Sequence, residues 1–570
     1  MRVPRFHGPM NYQTLKRALS PETATRWLVK DAADDFFPDS IALADLRGRE
    51  SAYAVRQQHR WLQFDNPAHW VDYVPKRSRL LREAVILHPL HRVAYLAILR
   101  HFIAKLDRQL QSASYSYRLD RTDDGDEYPF SHRIERWKTF HNDFRTAALE
   151  PGAKVVVLTD LAAFYDHISC DQLCERIGSL LGPAKTEEDD AVLLALQRLL
   201  RMWCTDGHGI PQNHDPSSFF GSLYLNGIDH EMIAGGFRYF RWVDDIRIVA
   251  SSHDEAIQAL HFLQRLLAKC RLFLATEKTE IVNRDQPRYN SLLDVSDDIR
   301  ISEVEEQIRA SDCISLRGNI GVLFERLAFH SGPNGDDRKF RAFANRLLDI
   351  AAFDSLAEAI LPRLEQFVIP RLRSHPDRTD YWVRLLSATA SQAVTDSVVD
   401  LLVTNESLFS WQKFHLWRLA LYLPRPLPEI LISRAKAVAG SYESDAVAAQ
   451  AIVLLGAVSN NTERESLFNA NFTRQRSYLV QRATVIAIQE LPVTLRDRLY
   501  ELALAWNADH TELIEYLRTQ SEPNYGISRR QARTCPETPT VVAPLLRRGV
   551  GLVNGIRTTF RLSSSELDYE

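Results

Sequence analysis

The chain has 570 residues, too many for one compact core, so two to four domains are expected. With 45% hydrophobic and 25% charged residues the composition is that of a soluble globular protein, which excludes a fibrous or wholly disordered chain. A net charge of −3 excludes nucleic-acid binding through bulk charge and leaves only local basic stretches, Lys76–Arg82 and Arg238 with Arg241, whose ordinary reading is a solvated face.

The opening MRVPRFHGPM has no apolar core of a signal peptide. Residues up to about 75 carry mixed helical patterning, many aromatics and no clear chemistry. A short strand at Ala84–Leu87 precedes a helix starting near His91, and Arg121–Glu127 reads as a polar loop. Lys154–Asp160 is a continuous β-branched run, the pattern of a buried strand. Ser169-Cys-Asp-Gln172 has the spacing of a helix N-terminus. Helices are expected from Asp190 to about Trp203 and from about Pro216 to Ala234, then strands around Asp244-Asp245, a helix to Cys270, and a strand at Lys278–Val282.

After about residue 300 the pattern becomes helical throughout, for example Phe340–Ala352, Tyr381–Ala390, Ala446–Val458 and Leu499–Trp506. Paired helices without strands suggest a helical-repeat region, although no fixed period is present. The run Ala446–Val458 is too short to span a bilayer and contains Gln450, so no membrane partner is expected. The tail from Ser521 contains Arg and Pro, with a late strand at Thr558–Leu562. Six cysteines stand scattered with no CxxC pair and read as reduced thiols of a cytoplasmic protein; Cys170 and Cys174, near His167, read as core residues one helical turn apart. Arg326 and His330 stand too close together for a ribonuclease-like pair.

The chemistry centres on Arg238–Ala250, RYFRWVDDIRIVA, where Asp244 and Asp245 interrupt two apolar runs. Strands disfavour Asp, and adjacent carboxylates repel each other. A hairpin with the pair at its turn solves the first problem, and a divalent cation solves the second, since Mg²⁺ takes hard oxygen ligands. Asp160, ending the most hydrophobic strand, is placed to join them. Three such carboxylates suit two Mg²⁺ ions about 4 Å apart.

These segments resemble the palm motifs of reverse transcriptases. Leu158-Thr-Asp160 with Tyr165 five positions on resembles the first palm motif, Gly209-Ile-Pro-Gln212 with the helix after it the Pro-Gln-Gly motif, and Trp242-Val-Asp244-Asp245 the aromatic-x-Asp-Asp motif. Lys278 matches the following lysine. Asp160, Gln212, Asp244 and Lys278 follow one another at intervals of 52, 32 and 34 residues. Arg82, with Ile86, Pro89 and Arg92, is similar to the fingers segment, and Tyr115–Arg118 and Trp137 to the same part of bacterial relatives. Departures are Asn213 in place of glycine, Trp242 in place of Tyr or Phe, and no primer grip or thumb after Lys278.

The last departure resembles bacterial abortive-infection and defence-associated reverse transcriptases, in which a helical-repeat domain replaces the thumb. The resemblance implies an α+β right-hand fingers-palm polymerase domain followed by an all-α helical-repeat-like domain. The expected division is an N-terminal helical extension at 1–75, fingers and palm at 76–295, the helical region at 296–520 and a tail at 521–570. It implies that Asp160, Asp244 and Asp245 bind two Mg²⁺, with Mn²⁺ as substitute. Arg82 and Lys278 would neutralise a deoxynucleoside triphosphate, Tyr165 would exclude a 2′-hydroxyl, and Gln212 would help position the nucleotide. The implied function is antiphage DNA synthesis in a homo-oligomer, without conventional template or primer, yielding single-stranded DNA, with a tyrosine such as Tyr525 or Tyr569 as primer. Two alternatives stay open: an RNA-templated polymerase copying a partner noncoding RNA, and a catalytically silent nucleic-acid-binding scaffold acting through the helical region.

Overall fold

The computed structural model describes residues 11–57, 60, 69–120, 128–333, 335–389, 391–527, 533 and 534. The expected loop Arg121–Glu127, the late strand Thr558–Leu562, the first ten residues, Cys535 and Tyr569 lie outside them.

The β-branched run forms β3 (Val155–Asp160), central in a four-stranded antiparallel sheet of order β4-β5-β3-β6, with β4 at Arg238–Trp242, β5 at Asp245–Ala250 and β6 at Glu280–Asn283. Successive residues of a strand point to opposite faces, and the packing follows that alternation. Val155, Val157, Ile246 and Ile248 join one large core with the helices Cys170–Leu181, Asp215–Ala234 and His253–Ala268. Val156, Val249 and Val282 turn the other way, onto Phe144 and Ala148 of the helix Arg133–Leu149 and onto Tyr289. A separate two-stranded hairpin pairs β1 (His69–Pro75) with β2 (Leu81–Leu87), so its pairing crosses residue 75.

Helix starts follow local capping. Ser169 accepts from Gln172 N, and Thr186 with Asp189 caps Glu187–Trp203 reciprocally. From Ser296 to Thr519 every regular element among the described residues is helical. These helices share one core, and Phe37, Ile41, Val74 and Ala84 from the N-terminal part enter it. The joint is polar as well. Trp411 Nε1 donates to Phe36 O at 2.7 Å, and the buried Arg482 pairs with both Asp39 and Asp45 at 2.6 Å. Arg56 adds a bond to Glu515 at 2.7 Å.

Cys170, Cys174, Cys204 and Cys270 are free thiols, but Cys313 is disulfide-bonded, which corrects the expectation of six reduced thiols. Among the described residues no helix is long and apolar enough to cross a membrane.

Candidate active site

The sheet brings the carboxylates together through backbone pairing. Asp160, last in β3, is the register partner of Asp245, first in β5, and register partners project from the same face. Trp242 pairs with Asp245 across the β4–β5 hairpin, leaving Val243 and Asp244 as its two-residue turn. The turn needs a positive φ at its first central position, where glycine is usual. Val243 stands there with φ 51, a costly conformation for a β-branched side chain. Two bonds hold it: Ser116 Oγ accepts from Val243 N at 3.1 Å, and Arg241 donates to Val243 O at 2.9 Å.

Arg241 itself is fully buried and bonds Asp229 through Nε and a terminal nitrogen at 2.8 and 2.5 Å, with Ser114 Oγ at 3.0 Å. The basic pair Arg238 and Arg241 is therefore not one solvated face. Arg238 is exposed on Glu150, whereas Arg241 is the internal support of the Asp244 turn. Its signal in the sequence was an arginine alternating with apolar residues in a buried strand.

The carboxylates act on one another electrostatically. Burial, Asp160 and Asp245 push the Asp244 carboxyl from 3.8 up to about 7. Burial and Asp245 also raise Asp160, opposed by the Lys278 ammonium, which donates to Asp160 Oδ2. Lys278 lies in the 3₁₀ turn Thr276–Lys278 just before β6, and Arg82 on β2 is close enough to oppose its charge. Tyr165 is buried, bonds Ser218 Oγ at 3.0 Å, and has its hydroxyl acidity suppressed by burial, Tyr117 and Asp244. Gln212 sits half-buried in the turn before His214 and makes no side-chain hydrogen bond among the described residues.

Asn213 has φ 67, so the position that ordinarily takes glycine is a left-handed one, which Asn tolerates. Its Nδ2 donates to Asp34 O at 2.5 Å, and Asp215 N donates to Asp31 at 2.7 Å, fastening this loop to the N-terminal segment. Arg92 is not available for phosphates: it is buried, paired with Asp31 and, at 2.6 Å, with Asp35.

The three carboxylates offer the hard oxygens that Mg²⁺ takes, and their mutual repulsion is what a cation relieves. Among the described residues no three acids, cysteines or histidines are yet drawn into a metal-sized group, and Lys278 is the counter-charge at Asp160. Cys170 and Cys174 are buried core residues. His330 at 2.9 Å and Arg326 at 3.2 Å both bind Asp297, a structural cluster. Tyr525 is buried, its hydroxyl donating to Gly456 O at 3.0 Å.

Residues 97–299 match the family model described as reverse transcriptase (RNA-dependent DNA polymerase). The chain thus carries a reverse transcriptase domain, which supports RNA-directed DNA polymerase activity, and six of the seven candidate site residues lie inside it, Arg82 outside. No curated protein matches the chain. Solved structures similar to it include apo telomerase from Candida tropicalis truncated from the C-terminal domain, at 14% identity and TM-score 0.30, covering 39% of this chain and 51% of that one. Telomerase from Candida albicans in complex with a TWJ fragment of telomeric RNA matches at 11% identity and TM-score 0.29, covering 84% of this chain and 68% of that one. Apo telomerase from Candida tropicalis matches at 11% identity and TM-score 0.30, covering 83% and 73%.

Proposed function

We propose that the chain is a reverse-transcriptase-type DNA polymerase of bacterial antiphage defence, of the abortive-infection type, adding deoxynucleotides by two-metal-ion catalysis. The observation that carries the polymerase reading is the β3–β5 register, with Asp160 opposite Asp245 and Asp244 in the adjoining turn. Asp160, Asp244 and Asp245 would hold two Mg²⁺, or Mn²⁺ in their place. Such ions, when bound, activate a 3′-hydroxyl and steady the leaving pyrophosphate. Lys278 and Arg82 supply positive charge for the triphosphate, the Tyr165 ring fills the space of a ribose 2′-hydroxyl, and Gln212 orients the nucleotide.

In this reading residues 76–295 are fingers and palm, 1–75 an extension, 296–520 a helical-repeat-like region in place of a thumb, and 521–570 a tail. The defence assignment rests on that helical run, which stands where a reverse transcriptase of the usual plan carries its thumb. The product is single-stranded DNA made by a cytoplasmic homo-oligomer, with priming from a protein hydroxyl.

Incubation of the purified chain with Mg²⁺ and labelled deoxynucleotides, without nucleic acid, tests this against Asp244→Ala/Asp245→Ala. Label that travels with the parent protein alone on a denaturing gel supports self-primed synthesis. Label that appears only when an RNA is supplied supports copying of a partner RNA and overturns the untemplated reading. No incorporation under either condition overturns the polymerase reading.

A further inference from the structure

The helix Asp337–Ala351 belongs to the helical half, yet its first turn reaches the carboxylate turn. The Arg338 guanidinium lies 3.1 Å from the centre of the Trp137 ring and 5.2 Å from that of Trp242. The two indoles meet edge to face at 5.1 Å, and Trp242 is the hairpin partner of Asp245. Arg341, one turn on and so on the same face, lies 5.7 Å from the Tyr381 ring. Among the described residues neither guanidinium forms a salt bridge. Arg346 of the same helix, by contrast, is paired with Glu305 and Asp349 at 2.7 and 2.6 Å.

Both unpaired arginines line a cleft of about 3680 Å³ that also takes in Arg133, Asp245 and Arg247. A small-molecule site measures roughly 300–1,000 Å³, so this space suits a polymer. Acids line the same cleft, with Asp336 and Asp245 in the field of Arg338 and Asp34 and Asp380 in that of Arg341, but none of them closes a salt bridge to either guanidinium. Burial, with Arg341 and Arg133, lowers the Arg338 pKa to about 9 against the opposing pull of Asp336 and Asp245, and a phosphate beside it would raise it again. His141, between Arg247 and Trp137, is kept neutral by burial and by Arg247, Arg338 and Lys339, and therefore adds no competing charge.

We propose that Arg338 and Arg341 bind the phosphodiester backbone of a single nucleic-acid strand leading to Asp245, with the Trp137 and Trp242 indoles holding the Arg338 guanidinium in place. This deepens the polymerase reading and rests on it: the helical half would hold the strand at the place where the sequence offers no primer grip.

The test is fluorescence anisotropy of labelled oligo(dT) and oligo(U) with the full chain in EDTA, without nucleotides. Arg338→Gln/Arg341→Gln should raise Kd about tenfold and flatten the log–log salt slope by about 1.4, the value for two phosphate contacts on a single strand. Arg341→Glu, which leaves the Trp137 stack in place, should move both in the same direction if the double variant melts early. Weaker binding by the variants supports the site, and the oligomer the parent binds more tightly tells a DNA strand from an RNA strand. Unchanged Kd and slope in both variants, or a preference for duplex over single strand, overturns it. Because no catalysis is read, a parent that incorporates nucleotides beside variants that bind like the parent would sink this proposal alone.

Discussion

Asp160 and Asp245 face each other as register partners of β3 and β5, and the Lys278 ammonium donates to Asp160 from the turn before β6. Backbone pairing, not side-chain bonding, therefore brings these acids together. Asp160→Asn is expected to cut deoxynucleotide incorporation roughly 10²–10³-fold, the scale of losing one preorganised electrostatic group. It should shift the melting temperature by less than about 2 °C. Incorporation assays and thermal melts on the same preparations check both.

Stability should depend on pH through Asp244. Its carboxyl ordinarily releases a proton near 3.8 and here keeps it to about 7. Between those values the folded chain holds a proton that the unfolded chain has lost, so stability falls as pH rises through the window and levels off above it. Asp160, raised for the same reason, adds to the slope. Asp244→Asn should therefore gain on the parent from about pH 4 to about pH 7, measured as the difference in melting temperature.

Arg482 ties Asp39 and Asp45 to the helical half from a buried position. Arg482→Ala leaves two carboxylates without their partner and should lower unfolding free energy by about 3–5 kcal/mol. Urea denaturation gives the magnitude, and limited proteolysis should open new cuts between residues 36 and 48.

At Asn213, with φ 67, Asn213→Ala should be about 1–2 kcal/mol less stable than Asn213→Gly. Both variants lose the bond to Asp34 O, so their difference isolates the cost of the left-handed backbone. Urea denaturation of the two variants beside the parent measures it.

The sheet was legible because Lys154–Asp160 is β-branched almost throughout, but the expectation of both Asp at the turn shifts by one residue: Val243-Asp244 form it and Asp245 opens β5. Helix limits shifted by a few residues where caps decide them, as at Thr186. Electrostatic proximity was less legible. Nothing local to Arg92 tells that Asp31 and Asp35, some sixty positions earlier, will neutralise it, and nothing local to Arg241 announces Asp229 as its partner in the fold. Arg338 was invisible for the same reason: its nearness to Trp137 depends on how two distant halves dock. The basic run Lys76–Arg82 likewise divides by location. Arg77 donates to the carbonyls of Gly332 and Pro333, while Arg82 stands in the field of Lys278.

The segment Phe36–Asp45 is bolted to the helical half at Trp411 and Arg482, while Asp34 and Asp35 just before it hold Asn213 and Arg92 of the other half. Swinging the halves apart would strip either Arg92 or Arg482 of its carboxylates. The short stretch Asp31–Asp45 thus works as a hasp, one end closed on each half.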